Sequence, residues 1–197
     1  MNTRIDTQRI LIYLAFAFGI AWAVGLVIYL TGGLVDSPLL VDVPGVIQLS
    51  LATVLLAVGY MWAPTLAHIL TRVVTREGWH DPMLRPRLGR GWPYWLAAIF
   101  LPAVLTILGA AVFFLIFPQY FDPELGLLQS LLPAEVPIPL WLIVVLQVVQ
   151  GILLSPIINS FFTFGEEFGW RGYLQPKLMP LGGRRAMAPI GVIWGVW

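Results

Sequence analysis

Gly165-Glu166-Glu167-Phe168-Gly169-Trp170-Arg171-Gly172-Tyr173-Leu174 is the stretch on which the reading of this chain turns. An apolar run, Leu140 to Phe164, leads directly into it. At 1.5 Å per residue that run is about 37 Å long, enough to cross the hydrocarbon core of a bilayer. Two adjacent carboxylates therefore stand where a membrane span is ending. Ionisable groups at that depth are costly, which makes them candidates for function.

Working outward, the composition agrees with a membrane setting. Of the 197 residues, 59% are hydrophobic and 11% charged, against roughly 25% charged in a soluble domain. Gly, Pro and interfacial Trp are favoured in membrane helices, and the chain has 19 Gly, 16 Pro and 9 Trp. Cysteine is absent, which excludes disulfides, thiolate metal sites and a cysteine nucleophile within this sequence. A net charge of +1 and the lack of a basic patch with interleaved aromatics give no sign of a nucleic-acid partner.

Upstream, three further apolar runs are separated by polar loops. Ile10 to Thr31 is the first and ends at Gly32-Gly33. A cleaved signal peptide is the competing reading, but the run is too long for one and has no clean boundary. Val46 to Leu70 is the second, with Pro64 expected to kink it, and Pro93 to Phe117 is the third, with Pro102 inside. Leu140 to Phe164, containing Pro156, is the fourth, and Pro176 and Pro180-Leu181-Gly182-Gly183 are expected to end that element. Met187 to Trp197 reads as the start of a fifth. The expected fold is thus an all-α polytopic membrane protein, with helices one to three over residues 1–139 and the carboxylate segment over 140–197.

Charge orients these spans. All 11 basic residues lie before the first run (Arg4, Arg9), between the second and third (Arg72, Arg76, Arg85, Arg87, Arg90) or after the fourth (Arg171, Lys177, Arg184, Arg185). The intervening loops, through Pro44-Gly45 and from Pro118 to Pro139, carry Asp36, Asp42, Asp122, Glu124 and Glu135 with no base. By the positive-inside rule the N-terminus and Glu166 are expected on the cytoplasmic side. Pro82 and Pro86 make Thr71 to Trp92, which also holds Glu77 and Asp81, a loop or short surface helix, and Trp79, Trp92 and Trp95 fit an interfacial belt.

On a helix, Glu167 and Arg171 are i,i+4 neighbours in the favourable order for an ion pair, and Glu166 is turned about 100° from Glu167. Ser155, Asn159, Thr163 and Glu166 form a polar stripe expected to face other helices or a water-filled cavity. Gly165 and Gly169, four apart, leave room for another backbone. Carboxylates withdrawn from water and set side by side are general-base candidates, and Glu166 is the better placed of the two. The competing reading has both glutamates simply paired with Arg171, Lys177 and Arg184. Spacing alone leaves the two readings open.

Glu166-Glu167-Phe168-Gly169-Trp170-Arg171 resembles the EExxxR motif of the CPBP family, the CAAX-protease and bacteriocin-processing intramembrane proteases also known as the ABI family. Arg171 to Pro176 and Ile190 to Trp197 are similar to that family as well, so the resemblance covers residues 140–197. It implies an intramembrane endopeptidase in a bacterial or archaeal plasma membrane, acting on a peptide or a prenylated protein. It implies that Glu166 activates the catalytic water and that Glu167 and Arg171 support the site. In the family's second motif an aromatic, matched by Trp194, precedes a histidine by four residues. That histidine would be residue 198, and a later histidine motif is also lacking. The chain is therefore expected to be a C-terminally truncated fragment, inactive alone. A divalent metal such as zinc is a candidate cofactor with Glu166 as a candidate ligand, yet zinc needs three or four ligands and two adjacent glutamates do not supply them. His68, near the end of the second run, is expected at about the depth of Glu166, where contact is open to it, but reads first as an interfacial residue beside Arg72. His80 is expected to be solvated. Two other classes compete: a non-enzymatic membrane scaffold or bacteriocin-immunity-type binder, and a proton-coupled transporter, which the lack of an internal repeat disfavours.

Overall fold

The computed structural model describes residues 5–43, 47–80, 84, 88–132 and 138–197. Arg4, Pro44, Gly45, Val46, Asp81, Pro82, Arg85, Pro86, Arg87 and Glu135, which entered the loop and charge reading, lie outside the described residues. The chain is mostly helical. Three helical stretches, Thr7–Leu30, Leu51–Val74 and Gly89–Ile116, are long and apolar enough to cross a membrane, and a bent pair, Leu140–Leu153 with Ser155–Leu181, makes a fourth if counted as one span.

The helices are α1 (Thr7–Leu30), α2 (Leu51–Val54), α3 (Ala63–Val74), α4 (Leu88–Ile116), α5 (Gly126–Leu131), α6 (Leu140–Leu153), α7 (Ser155–Gly169), α8 (Gln175–Leu178) and α9 (Gly183–Val196). Two π-helical stretches, Leu55–Tyr60 and Trp170–Leu174, join α2 towards α3 and α7 to α8. The run expected to open a fifth span forms α9. The all-α expectation needs one correction. Leu39–Val43 (β1) and Ile47–Ser50 (β2) pair antiparallel, so the first residues of the second apolar run are strand. β-branched residues in both segments favour strand over helix there. Ser50 then caps α2, its hydroxyl accepting from Thr53 N–H at 3.2 Å.

Pro64 and Pro156, read as lying inside apolar runs, and Pro176, read as ending its element together with Pro180-Leu181-Gly182-Gly183, all lie in first turns, although the element does end at Leu181. Pro64 does not kink a continuous helix, because it lies in the first turn of α3, just after a π stretch. Pro156 lies in the first turn of α7, just after the break at Leu154. Pro176, expected to terminate its element, lies in the first turn of α8, and helical structure continues through a 3₁₀ turn to Leu181. A first turn is where a missing N–H goes unnoticed. Each proline has thus started a new helix segment.

By packing, the chain divides into two compact units, residues 1–84 with 160–197 and residues 85–159. The first unit carries the candidate site. Asp6 caps α1 through Arg9 N–H at 3.2 Å. Tyr13, Ala17 and Ala21, spaced by four and fully buried, give α1 a narrow face that packs on α3. The core joins Ile10, Tyr13 and Ala17 of α1 to Ala67 of α3, Trp170, Tyr173 and Leu174 of the π stretch, Leu178 of α8, and Ala186 and Ile190 of α9. α3 closes with paired capping bonds, Arg76 N–H to Val73 O and Glu77 N–H to Arg72 O, with Arg76 at φ 53. That turn brings Glu77 back towards the helix bundle.

The second unit is simpler. α4 is 29 residues long with Pro93 and Pro102 inside it. Phe113, Phe114, Phe117, Tyr120 and Phe121 cluster at its C-terminal end, with Phe113 and Tyr120 stacked at 6.1 Å and Phe114 and Phe121 edge-on at 5.3 Å. Asp122 organises the next turn by accepting from the N–H groups of Glu124 at 3.0 Å and Gly126 at 2.6 Å.

Candidate functional site

The carboxylates lie on the last turn and a half of α7, just before the helix widens into the π stretch. Gly165 and Gly169 hold that part of α7 against the segment Met61–Pro64. A Cβ on Gly165 would sit 2.7 Å from Trp62 Cγ and 2.9 Å from Met61 O, and one on Gly169 would overlap the Pro64 backbone itself. These two glycines are the close approach the four-residue spacing predicted. Trp62 also packs its ring on Phe161 at 5.0 Å.

With that face pinned, the two glutamates diverge as their helical angle requires. Glu167 Oε2 accepts from Arg171 at 2.9 Å, with the carboxylate one-third exposed and the guanidinium 61% exposed. Glu166 turns towards α9, where its Oε1 accepts from the indole N–H of Trp194 at 2.5 Å. No cation among the described residues lies within ion-pair distance of Glu166. The reading in which Arg171, Lys177 and Arg184 neutralise both acids does not hold, because Lys177 is bonded to Glu77 instead and Arg184 pairs with neither acid. The third element of the constellation is a cation–π contact, with Arg171 Cζ 5.2 Å from the Trp194 ring centroid. Glu166, Glu167, Arg171 and Trp194 therefore form one connected group.

The polar stripe leading into the pair runs along α7. Asn159 and Thr163 are on the exposed side of the helix, and the Thr163 hydroxyl bonds to Ser160 O at 3.4 Å. The polar stripe that is buried runs instead along α3: Thr65, His68, Thr71 and Arg72 are all 3% exposed or less. The sequence carried this signal at the same i, i+3, i+4 spacing, hidden inside the run assigned to the second span.

His68 is not interfacial but fully buried. Its Nε2 accepts from Arg72 Nε at 2.6 Å, which leaves Nδ1 as the protonated nitrogen, donating to Phe168 O at 3.0 Å. The imidazole packs on the rings of Phe168 at 4.4 Å and Tyr173 at 4.6 Å. It therefore grips the backbone between the glutamates and the π stretch. Arg72 also donates to Gly78 O at 2.5 Å and lies over Trp79 at 5.3 Å. His80 is exposed, as expected.

Glu77, treated in the sequence as one acid of a basic loop, is an unanticipated hub. Its side chain is 9% exposed. Oε1 is bonded to Lys177, Oε2 accepts from Tyr173 O–H at 2.8 Å, and Arg9 Nε lies 3.8 Å away. One carboxylate thus ties α1, the end of α3, the π stretch and α8 together beneath the candidate site.

A metal finds little to bind. Among the described residues no three His, Asp or Glu side chains converge, and Glu166 and Glu167 point apart. The described donors do not supply the three or four ligands of a zinc site. Comparison of the chain with known protein families, curated proteins and solved structures finds no match.

Proposed function

We propose that the chain carries part of the active site of an intramembrane endopeptidase of the CAAX-protease type, with Glu166 as the general base. One observation supports this above the rest: of two adjacent glutamates, Glu167 is neutralised by Arg171 while Glu166 has no cationic partner among the described residues. A carboxylate bonded to a guanidinium has its charge offset and an oxygen occupied; one held by a single neutral N–H keeps proton-accepting capacity. Glu166 Oε1 is occupied by Trp194, and Oε2 has no described hydrogen-bond partner. In the reaction, water gives a proton to Oε2 as its oxygen bonds to the peptide carbonyl carbon. The C–N bond then breaks, and the leaving nitrogen takes the proton back from Glu166.

In this reading four spans, with α9 after them, carry the site. The N-terminus and Glu166 face the cytoplasm of a bacterial or archaeal cell, and the substrate is a peptide or prenylated protein cut near that face. The protein, purified in detergent, is expected to cleave members of a peptide library, and Glu166→Ala is expected to abolish that cleavage. Equal cleavage by the two proteins refutes the proposal.

A further inference from the structure

Trp194 is the residue that connects all the charged groups of the site, and it comes from a different element. Ala186, Ile190 and Trp194 are spaced by four on α9. The first two are buried in the core against the π stretch and α8, so the same helical face that anchors α9 carries Trp194 to the carboxylates. The indole is held on its far side by Trp170, stacked at 6.3 Å with planes 27° apart, and Trp170 is itself completely buried. An indole has one donor and no acceptor. Here the donor goes to Glu166 Oε1 and the ring face goes to the Arg171 guanidinium, which in turn holds Glu167.

We infer that Trp194 is a positioning residue: its N–H fixes the plane of the Glu166 carboxylate and its ring face keeps Arg171 turned towards Glu167, so that only Glu166 Oε2 is presented for proton transfer. The inference rests on the reading of Glu166 as the base. A carboxylate on a rotatable side chain presents either oxygen in many orientations, and a fixed orientation is what makes proton abstraction efficient. The N–H is neutral, so it orients Glu166 without consuming its charge, which a lysine or arginine in the same place would do.

Two measurements on the protein in detergent test this. In the 15N–1H spectrum of the indole groups, Trp194→Phe identifies the Trp194 resonance by removing it. Glu166→Ala is expected to displace that resonance upfield, and Glu167→Ala to move it far less. A Trp194 resonance unmoved by Glu166→Ala overturns the contact. In peptide cleavage, Trp194→Phe keeps the ring and its stacking but lacks the N–H. It is expected to lower kcat about 10- to 100-fold, the usual range for groups that orient a catalytic side chain, with KM within about twofold and an unchanged thermal midpoint. Wild-type kcat in Trp194→Phe overturns the positioning role even if the resonance moves. Equal cleavage by wild type and Glu166→Ala is a different failure: it removes the base itself, and with it any reaction for Trp194 to serve.

Discussion

Replacing Glu77 with leucine should destabilise the first unit more than any change at Glu166 or Glu167. The Glu77 side chain is 9% exposed and that of Lys177 17%. Tyr173 O–H donates to the same carboxylate at 2.8 Å. Glu77→Leu leaves an almost buried ammonium and a buried hydroxyl without their acceptor. Breaking a buried pair from one side costs about 3 to 5 kcal/mol, and the residual exposure of Lys177 places this case at the lower end, about 3 kcal/mol. For a chain of this size that corresponds to a fall of about 6 to 12 °C in Tm. Lys177→Met should cost a similar amount, because Glu77 then keeps only Tyr173 and Arg9, the latter 3.8 Å away and shared with Asp6. The double variant Glu77→Leu with Lys177→Met leaves neither charge stranded, and Arg9 retains Asp6 at 3.1 Å. It should therefore be no less stable than either single variant, a coupling of about 3 kcal/mol or more. Thermal unfolding of the four proteins in one detergent, followed by circular dichroism, completes the cycle. Additive losses within about 0.5 kcal/mol, or a Glu77→Leu midpoint within about 2 °C of wild type, would refute the assignment of Glu77 as a hub.

Gly169→Ala places a methyl group into the Pro64 backbone, which has no rotamer to yield with, so a loss of about 1 to 3 kcal/mol is expected in the same unfolding assay. Tyr173→Phe removes only the donor to Glu77 and should cost about 1.5 to 3 kcal/mol, the range for a hydrogen bond to a charged group, and almost nothing when introduced into Glu77→Leu. Orientation is open to single-cysteine labelling, since the chain contains no cysteine of its own. Val35→Cys, in the acidic loop after α1 and 92% exposed in the native residue, should react with an impermeant maleimide on intact cells, and Arg184→Cys only after permeabilisation; the opposite pattern inverts the topology.

What the sequence made legible was whatever depends on local spacing. Glu167 and Arg171 pair because i,i+4 residues meet on any helix, and Gly165 with Gly169 admit a backbone because four residues return to the same face. What stayed hidden depends on residues distant in the chain. Glu77 finds Lys177 and Tyr173 only after α3, the π stretch and α8 have packed, and no spacing rule connects residues about a hundred positions apart. His68 was misread for the same reason: a lone histidine near a span end gives no hint that the carbonyl of Phe168 will be there to accept from it. The division into helices was misread because hydropathy is blind to backbone geometry. Leu140 to Phe164 reads by hydropathy as one apolar run, yet the chain breaks at Leu154, where Pro156 lacks the N–H to bond back across the junction.

The π stretch after the motif follows from the burial pattern around it. Gly165, Gly169 and Tyr173 are buried at intervals of four, and so are Trp170, Leu174 and Leu178. In an α-helix each residue advances about 100°, so a step of four overshoots a full turn by about 40° and two steps by about 80°. A regular helix would therefore swing Tyr173 and Leu178 away from the face that Gly165 and Gly169 press against Met61–Pro64. Widening the helix at Trp170–Leu174, with i→i+5 bonds in place of i→i+4, absorbs that overshoot and returns both rows to the core. The consequence for the site is directional. Phe168, whose carbonyl His68 holds, and Trp170, whose ring supports Trp194, flank the point where the helix changes pitch. Glu166 and Glu167 precede it, on the α-helical side, where their angular separation is fixed by ordinary helix geometry. A buried π turn thus holds the core rows together below the carboxylates, and the divergence of Glu166 from Glu167 is preserved above it.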